Sequence, residues 1–339
     1  MAVDFALKLP LYGQATDAAF DHVIDVARHA ESAGFTAVYA IDHLVLPGGR
    51  SLGKSSADPA RPYFLDPWTT LAAVAQATSK IRLGPQVTPL GRVHPVFIAK
   101  WGASIDRISH GRFQLGVGLG HQRVEYVNHG LPFPPFAERN QRMIEALEII
   151  RRLWTDPEPV TYEGAHFSVI DATFWPKPVQ AHVPVWFGGS SPSIQAAAAK
   201  YGDGWAPAAP QLGGFGPEGA ETYRQTLANI REGAASLGRT TRIGGGALFL
   251  STISEHQDDI DRAAALLRTR PEYAPMSIAQ INDKGAVVMG DPDEICRRLD
   301  PYIEAGVEEL TISFHPLDDM DGIKRGIDLY AGKVKPRFA

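Results

Sequence analysis

The chain alternates short apolar runs with longer segments of helical period, and this alternation most constrains the fold. Eight apolar runs are predicted to be strands, because each is short and is followed by a helical segment or a long connection. They are residues 5–9, 36–41, 81–87, 113–117, 185–187, 204–208, 243–250 and 309–314. Eight strand–helix alternations in 339 residues predict an α/β fold, a single (β/α)8 TIM barrel over residues 1–339 rather than two domains.

Local signals mark where the helices begin and end. Asp66, Ser191 and Asp291 each precede a proline, the arrangement expected of an N-cap followed by proline at the first helical position. Gly34 ends the first helix in the way that a left-handed C-cap does. These signals support the alternation that predicts the barrel.

Three insertions interrupt the barrel pattern. Residues 46–65 follow the second strand, residues 156–182 follow the fourth strand and its helix, and residues 270–290 follow the seventh strand. The second insertion is predicted to form a small hairpin outside the barrel. The other two are too long for routine connections, and such loops are often functional, so we expect them to form the substrate pocket.

Composition excludes several classes of function. A net charge of −5 with no basic block argues against nucleic acid or an anionic membrane as a partner. No apolar run is long enough to span a bilayer. The chain has one cysteine, Cys296, which cannot form an internal disulfide, and a single cysteine is too few for a cysteine-based metal site. We therefore expect a reducing, cytoplasmic location.

Ionisable side chains follow three of the predicted strands. The pair Asp42-His43 comes directly after an apolar run, and His121 and His315 follow two further strands. Ligands bind at the C-terminal ends of barrel strands, and histidine is the natural acid or base near neutral pH. We therefore expect His43, His121 and His315 to be catalytic and to share one pocket, although a single histidine is more often structural. A metal is the competing use, but no HExxH spacing exists and we expect none.

Two glycine-rich segments also end strands. Gly188, Gly189, Ser190 and Ser191 precede a helix, where backbone N–H groups and the helix dipole favour an anion, so a phosphate site is predicted there. The alternative is a plain N-cap. The segment 116–120 does not keep the G-x-G-x-x-G spacing of a dinucleotide-binding loop, because His121 replaces the third glycine. At Gly118 and Gly120 a flat ring is instead expected to lie against the backbone.

In their order along the chain, these motifs resemble the bacterial luciferase-like superfamily of flavin and deazaflavin TIM barrels, from residue 5 to about residue 314. The motifs that carry the resemblance are 33–35 before 41–43, 81–84, 110–118, 138–139, 153–154, 176–180, 188–192, 202–205, 290–292 and 305–307. The resemblance implies that a cofactor ring lies beside Asp42 and His43, and that residues 188–191 hold the cofactor phosphate. It also implies a bulge with a non-prolyl cis peptide at Gln86-Val87, which supports the ring.

The Asp42-His43 pair is similar to the pair found at this position in the branch of the superfamily that uses coenzyme F420, a deazaflavin that transfers hydride. The resemblance therefore implies hydride transfer between coenzyme F420 and a small organic substrate. His43 would contact the ring and the substrate, His121 or His315 would move a proton, and Asp42 would fix the imidazole or hydrogen-bond the ring.

Other functions stay open from the sequence. Luciferases proper tend to carry Glu-His and use reduced FMN with oxygen, so a reduced-FMN monooxygenase fed by a separate reductase is the first alternative. A non-catalytic flavin-binding barrel is the second, and a metal-dependent hydrolase is the third.

Two departures from the superfamily bear on the substrate. Sugar-phosphate dehydrogenases of the F420 branch carry a tryptophan shortly after the Asp-His pair and a glutamate after the Gly-x-Gly. Here those positions hold Pro47 and His121, so sugar-phosphate oxidation is not expected. Members of this superfamily commonly dimerise, and the resemblance implies a homodimer.

Overall fold

The computed structural model describes residues 2–11, 19–44, 64–214, 216–285, 287–315 and 319–339. Most of the insertion 46–65, including Pro47, lies outside these residues. The strands within the described ranges are β1 (Asp4–Lys8), β2 (Ala37–Ala40), β3 (Arg82–Pro85), β4 (Thr88–Pro89), β5 (Leu115–Gly118), β6 (Val160–Glu163), β7 (Ser168–Ala172), β8 (Val185–Phe187), β9 (Gly204–Trp205), β10 (Gly244–Ile253), β11 (Val288–Gly290) and β12 (Glu309–Phe314).

The helices surround these strands and follow them in sequence. They are α1 (Ala19–Ser32), α2 (Pro67–Ala77), α3 (Pro95–Ile108), α4 (Arg123–Asn128), α5 (Phe136–Thr155), α6 (Pro192–Tyr201), α7 (Pro217–Ser236), α8 (Gln257–Arg268), α9 (Ile278–Lys284), α10 (Pro292–Glu304) and α11 (Met320–Leu329). The predicted N-caps are confirmed, since Asp66 and Asp291 each accept a backbone N–H bond of 2.8 Å at the starts of α2 and α10. Gly34 has the predicted left-handed conformation, with φ of +82°.

The barrel sheet is parallel and follows the order of the chain. Starting from β1, the ladder runs through β2 to β3 in one direction and through β12, β10, β9, β8 and β5 to β4 in the other. The two ends meet because only two residues separate β3 from β4 and because Leu83 of β3 also bridges Phe113 just before β5. The predicted (β/α)8 barrel is confirmed.

The third barrel strand is divided by the predicted cis peptide. Gln86-Val87 is cis and separates β3 from β4. The Val87 side chain lies between two glycines of neighbouring strand ends: a Cβ built at Gly118 would be 2.5 Å from Val87 Cγ2, and one at Gly188 would be 2.7 Å from Cγ1. Glycine is therefore required at both positions for Val87 to fit.

The insertion after the seventh strand contains more structure than the sequence indicated. Residues 270–290, expected to be a loop, include α9 and β11, and β11 pairs in parallel with the end of β10. Ile281 and Met289 of the insertion pack with Ile260 and Leu267 of α8 in a small separate core. The apolar run that becomes β11 is only about three residues long, which is too short for periodicity to identify. The insertion after the fourth strand does form the predicted hairpin, β6–β7.

Trp186 of β8 fills part of the barrel interior because the strands beside it carry glycines. A Cβ built at Gly204 of β9 would lie 2.3 Å from Trp186 Cδ2, and one at Gly246 of β10 would lie 2.7 Å from Cζ3. Gly244 leaves slightly more room, at 3.2 Å. The indole thus occupies space that side chains of the next two strands would otherwise take.

We expect Gly204→Ala to lower the free energy of unfolding by about 1–3 kcal/mol, because the new methyl group overlaps the Trp186 ring. Chemical denaturation measures this. Gly216→Ala is the control, since a Cβ there meets nothing within 4 Å. The second substitution in Gly204→Ala/Trp186→Leu should recover part of the loss, and a Gly204→Ala protein as stable as wild type would contradict this packing.

Candidate active site

The candidate active site lies at the C-terminal ends of three adjacent barrel strands. Asp42 and His43 come just after β2, Thr88 begins β4, and His121 follows β5 by three residues. The sequence predicted this position for Asp42-His43, and the structure confirms that the strand ends before the pair.

Asp42 is buried and its carboxylate is fully engaged. Its side chain accepts hydrogen bonds from Thr88 Oγ1, from Trp68 Nε1 at 3.3 Å and from the Arg92 guanidinium. Arg92 also donates to the Asp42 backbone carbonyl at 3.3 Å. Burial lowers the pKa of Arg92, but the Asp42 carboxylate outweighs this effect and raises it above its ordinary value. Asp42 therefore anchors Arg92 at the strand end.

Glu125 of α4 contacts the His43 imidazole. Its Oε2 lies 2.7 Å from His43 Nδ1, and its Oε1 accepts the backbone N–H of Leu44. Arg92 Nη1 lies 3.5 Å from the same Oε1, so Arg92 stands between two buried carboxylates. Burial raises the pKa of Glu125, but the hydrogen bonds from His43 and Leu44 and the charge of Arg92 outweigh it, and the pKa falls below its ordinary value.

The Glu125 contact determines which nitrogen of His43 faces the pocket. An ionised carboxylate only accepts hydrogen bonds, so Nδ1 carries a proton and donates it to Glu125. In the neutral ring Nε2 is then unprotonated and able to accept a proton. The resemblance implied that Asp42 would fix this imidazole or hydrogen-bond the cofactor ring, whereas in the structure Glu125 makes the contact with the imidazole.

His121 lies against His43. The two ring centroids are 5.8 Å apart with an interplanar angle of 82°, and Phe64 approaches His43 edge-on at 6.3 Å. Burial and the neighbouring His43 lower the pKa of His121 below its ordinary value, although Glu125 opposes the shift. At neutral pH His121 is therefore mainly an uncharged imidazole beside a second imidazole.

His315 lies elsewhere. It follows β12 and lines a cavity between α8 and α11, together with Thr252 and Phe314. Its side chain is buried, and burial lowers its pKa to about 4. The structure thus brings His43 and His121 together, but it places His315 in a different cavity, and a catalytic role for His315 stays a prediction without a contact to support it.

The glycine-rich loop before α6 has the geometry expected of an anion-binding turn. Gly189 has φ of +110°, and its carbonyl accepts a 2.8 Å hydrogen bond from Trp205 Nε1. Gln195 holds the Ser190 carbonyl at 2.9 Å, and Ser191 caps the helix through the Ile194 N–H. These bonds turn carbonyls away from the helix start, where first-turn N–H groups have no partner within the helix.

Two further features fit a flat, polar cofactor ring at the barrel mouth. Val87 packs against the backbone of Gly118 and of Gly188, where a Cβ would overlap its side chain, and Gly120 has φ of +70°. Gln86 donates to Thr311 Oγ1 at 3.1 Å, but its Oε1 and Ser313 Oγ are buried with no partner among the described residues. Buried polar atoms are normally satisfied, so these two call for a bound group. That the residues named from the sequence bind a cofactor stays a prediction.

The sequence missed three residues of the site: Thr88 as a partner of Asp42, Arg92 and Glu125. Arg92 follows the third strand, and Glu125 follows the fourth by seven residues, on the short helix α4. The apolar pattern that identifies a buried strand does not identify Arg92 or Glu125, because both lie beyond the strand ends. The only signal was the expectation that a buried Asp42 must have a charged partner.

Other classes of site find no support in the part of the chain that the structure describes. There, no three His, Cys, Asp or Glu side chains come together in a way that could hold a metal ion. None of the described helices is long and apolar enough to cross a membrane.

Curated relatives of this chain include an F420-dependent dehydrogenase and an uncharacterized protein. An F420-dependent glucose-6-phosphate dehydrogenase of Beutenbergia cavernae is 32% identical over 332 residues, covering 91% of this chain and 90% of the relative. An uncharacterized protein of Mycobacterium tuberculosis is 38% identical over 186 residues, and that match covers 53% of this chain and 64% of the relative's length.

A solved structure and a family model complete the comparison. The structure of an F420-dependent secondary alcohol dehydrogenase in complex with an F420–acetone adduct superposes with a TM-score of 0.79 at 21% identity, covering 100% of both chains, which supports the barrel fold. The model of the luciferase-like monooxygenases matches residues 5–309. The resemblance stated from the motifs is thereby confirmed, and the chain belongs to the luciferase-like monooxygenase family.

Proposed function

We propose that this chain is an oxidoreductase that transfers a hydride between coenzyme F420 and a small organic substrate. The observation that carries the proposal is the pair of imidazoles at the barrel mouth, with His43 Nδ1 bound to Glu125 at 2.7 Å and His121 packed against the same ring. Such a pair can take up and release the proton that accompanies hydride transfer. Relatives named F420-dependent dehydrogenases support the cofactor.

The residues divide the work of binding and proton transfer. The loop 188–191 and the start of α6 bind the cofactor phosphate, and Gln86, Val87, Gly118 and Gly120 support its ring. When bound, the deazaflavin supplies the ring carbon that gives or accepts the hydride. His43 Nε2 accepts the hydroxyl proton of the substrate, and Glu125 stabilises the imidazolium that results.

The substrate differs from that of the sugar-phosphate enzymes. The carboxylate expected after the Gly-x-Gly is replaced by His121, whose lowered pKa keeps it uncharged at neutral pH. We propose an uncharged alcohol or carbonyl compound as the substrate, and a cytoplasmic location in keeping with the buried free Cys296.

A reduced-FMN monooxygenase is the second candidate, and the description of the family favours it. In that case a separate reductase supplies reduced flavin, and the same His43 and His121 face the flavin ring. A flavin-binding barrel without activity is the remaining alternative.

Titration of the purified protein with each cofactor separates these functions. We expect coenzyme F420 to bind at least about tenfold more tightly than FMN, measured by the change in absorption or fluorescence of each cofactor. Ser190→Asp should weaken F420 binding by about tenfold or more, since it adds a negative charge beside the phosphate site. Ser190→Asn, which has nearly the same shape but no charge, should change it less than threefold.

Each other outcome of the titration points to a named alternative. Tight FMN binding with oxygen-dependent turnover would replace the F420 proposal by the monooxygenase. Binding of F420 without reduction by any alcohol would favour the non-catalytic barrel. Binding of neither cofactor would refute all three.

Glu125 is expected to act as a positioning residue for His43. Glu125→Gln should lower kcat on the order of 10- to 100-fold while KM changes less than about threefold, because the amide keeps the shape but not the charge that stabilises the imidazolium. Steady-state kinetics measure both constants, and nitrogen NMR of the histidines reports the His43 tautomer. Glu163→Gln, on the exposed edge of β6, is the control and should match wild type. A kcat unchanged in Glu125→Gln would remove Glu125 from the mechanism.

We also propose a homodimer formed through the outer face of α3. Phe97, Trp101, Trp175 and Val179 are exposed by 53%, 36%, 65% and 54%, and Lys100 of α3 binds the Trp175 carbonyl, so these side chains form one surface. Large exposed apolar patches mark interaction surfaces. Phe97→Glu should convert a dimer to a monomer in sedimentation velocity, whereas Leu237→Glu, equally exposed at the end of α7, should not. A wild-type monomer would refute the proposal.

A further inference from the structure

Gln122, the residue after His121, determines which nitrogen of the His121 ring carries the proton. The amide nitrogen Nε2 of Gln122 lies 3.1 Å from His121 Nε2. An amide nitrogen only donates hydrogen bonds, so His121 Nε2 accepts this bond and carries no proton. In the neutral ring the proton is therefore on Nδ1, which has no hydrogen-bond partner among the described residues. His121 thus offers an N–H donor at the barrel mouth.

His43 has the complementary arrangement. Its Nδ1 donates to Glu125 Oε2 at 2.7 Å, so in the neutral ring Nε2 is an acceptor. The described part of the chain gives this Nε2 no hydrogen-bond partner, yet it is not among the buried polar atoms that lack one, so it is open to solvent. Of the two neighbouring imidazoles, one offers a donor and the other an acceptor.

Both imidazoles are positioned by consecutive residues of α4. Glu125 holds His43, and Tyr126 packs under the turn that carries His121: a Cβ built at Gly120 would lie 2.3 Å from the Tyr126 hydroxyl oxygen. The two rings meet edge to face, with centroids 5.8 Å apart and an interplanar angle of 82°. His121 is exposed and the His43 side chain is 13% exposed, so a bound molecule can reach both rings.

We propose that Gln122 is a positioning residue, which keeps the His121 proton on Nδ1 so that the two imidazoles together hold one hydroxyl oxygen of the substrate. The hydroxyl donates to His43 Nε2 and accepts from His121 Nδ1–H. This inference rests on the proposed function, for which it names the group that the site recognises. When the hydroxyl proton passes to His43 and the hydride leaves the adjacent carbon for the cofactor, the oxygen becomes a carbonyl oxygen, which still accepts from His121.

Nitrogen NMR of the full chain without cofactor, with labelled histidine, tests the tautomer. We expect the His121 proton to be mainly on Nδ1 in wild type. Gln122→Glu keeps the shape of the side chain, but its carboxylate only accepts, so the proton should move to Nε2 and change the tautomer ratio by about tenfold or more. Gln141→Glu is the matched control. The Gln141 amide oxygen lies 3.2 Å from His166 Nε2 and already accepts, so neither His166 nor His121 should change its tautomer.

Titration of the same protein with cyclohexanol, an uncharged alcohol, tests the shared hydroxyl. We expect the NMR signals of His43 Nε2 and His121 Nδ1 to shift together as the alcohol binds. Gln122→Met, which removes the amide without adding charge, should weaken this binding by about 3- to 10-fold. Cyclohexyl methyl ether, which has the same oxygen without a proton to donate, should bind wild type at least about threefold more weakly than cyclohexanol.

Four results would overturn the proposal. They are a His121 proton mainly on Nε2 in wild type, a tautomer unchanged by Gln122→Glu, cyclohexanol that shifts neither ring, and cyclohexanol binding that is equal in Gln122→Met and wild type. Both measurements are made without cofactor. The separate titration with coenzyme F420 therefore distinguishes failure of the proposed reaction from failure of this inference.

Discussion

The position of Arg92 between two buried carboxylates is the interaction on which the candidate site depends. Its guanidinium contacts Asp42 directly and lies 3.5 Å from Glu125, and the side chains of both carboxylates are only 2% exposed. A buried charge is tolerated only when it is paired, so removing Arg92 would leave two buried carboxylates without their shared cation. The network joins the end of β2, the turn before α3 and the helix α4. His43 is held in place at the edge of this network through Glu125.

A second constraint is steric and acts through glycine. Val87 occupies the space that Cβ atoms at Gly118 and Gly188 would need, and Trp186 occupies the space beside Gly204 and Gly246. In each case a large side chain fits because the facing residues on the neighbouring strands are glycines, which have no side chain. Gly118 and Gly188, which the sequence predicted to contact a cofactor, therefore have a packing role as well.

Much of this could be predicted from the sequence, because the signals were local. The alternation of strands and helices, the N-caps at Asp66 and Asp291, and the end of a buried strand before Asp42 depend on neighbouring residues. The partner of His43 could not be predicted in that way. Glu125 is 82 positions away on a helix of six residues, and only the closed barrel brings the two together. His315 was placed wrongly by the same kind of local signal. Its position directly after a strand predicted that it would share the pocket of His43, but its ring lines another cavity.

The two carboxylates near the Asp-His pair have separate roles, and this bears on the substrate. Asp42 is saturated by Thr88, Trp68 and Arg92, and its position in the motif reflects support of the strand end more than contact with a ring. Glu125 is turned toward His43, and no carboxylate follows the Gly-x-Gly, where His121 stands. The two side chains left for proton transfer are thus the imidazoles of His43 and His121. An imidazole can take up and release a proton without becoming negatively charged. A site of this kind suits a substrate that is itself uncharged, because it neither repels an anion strongly nor supplies a fixed cation to hold one.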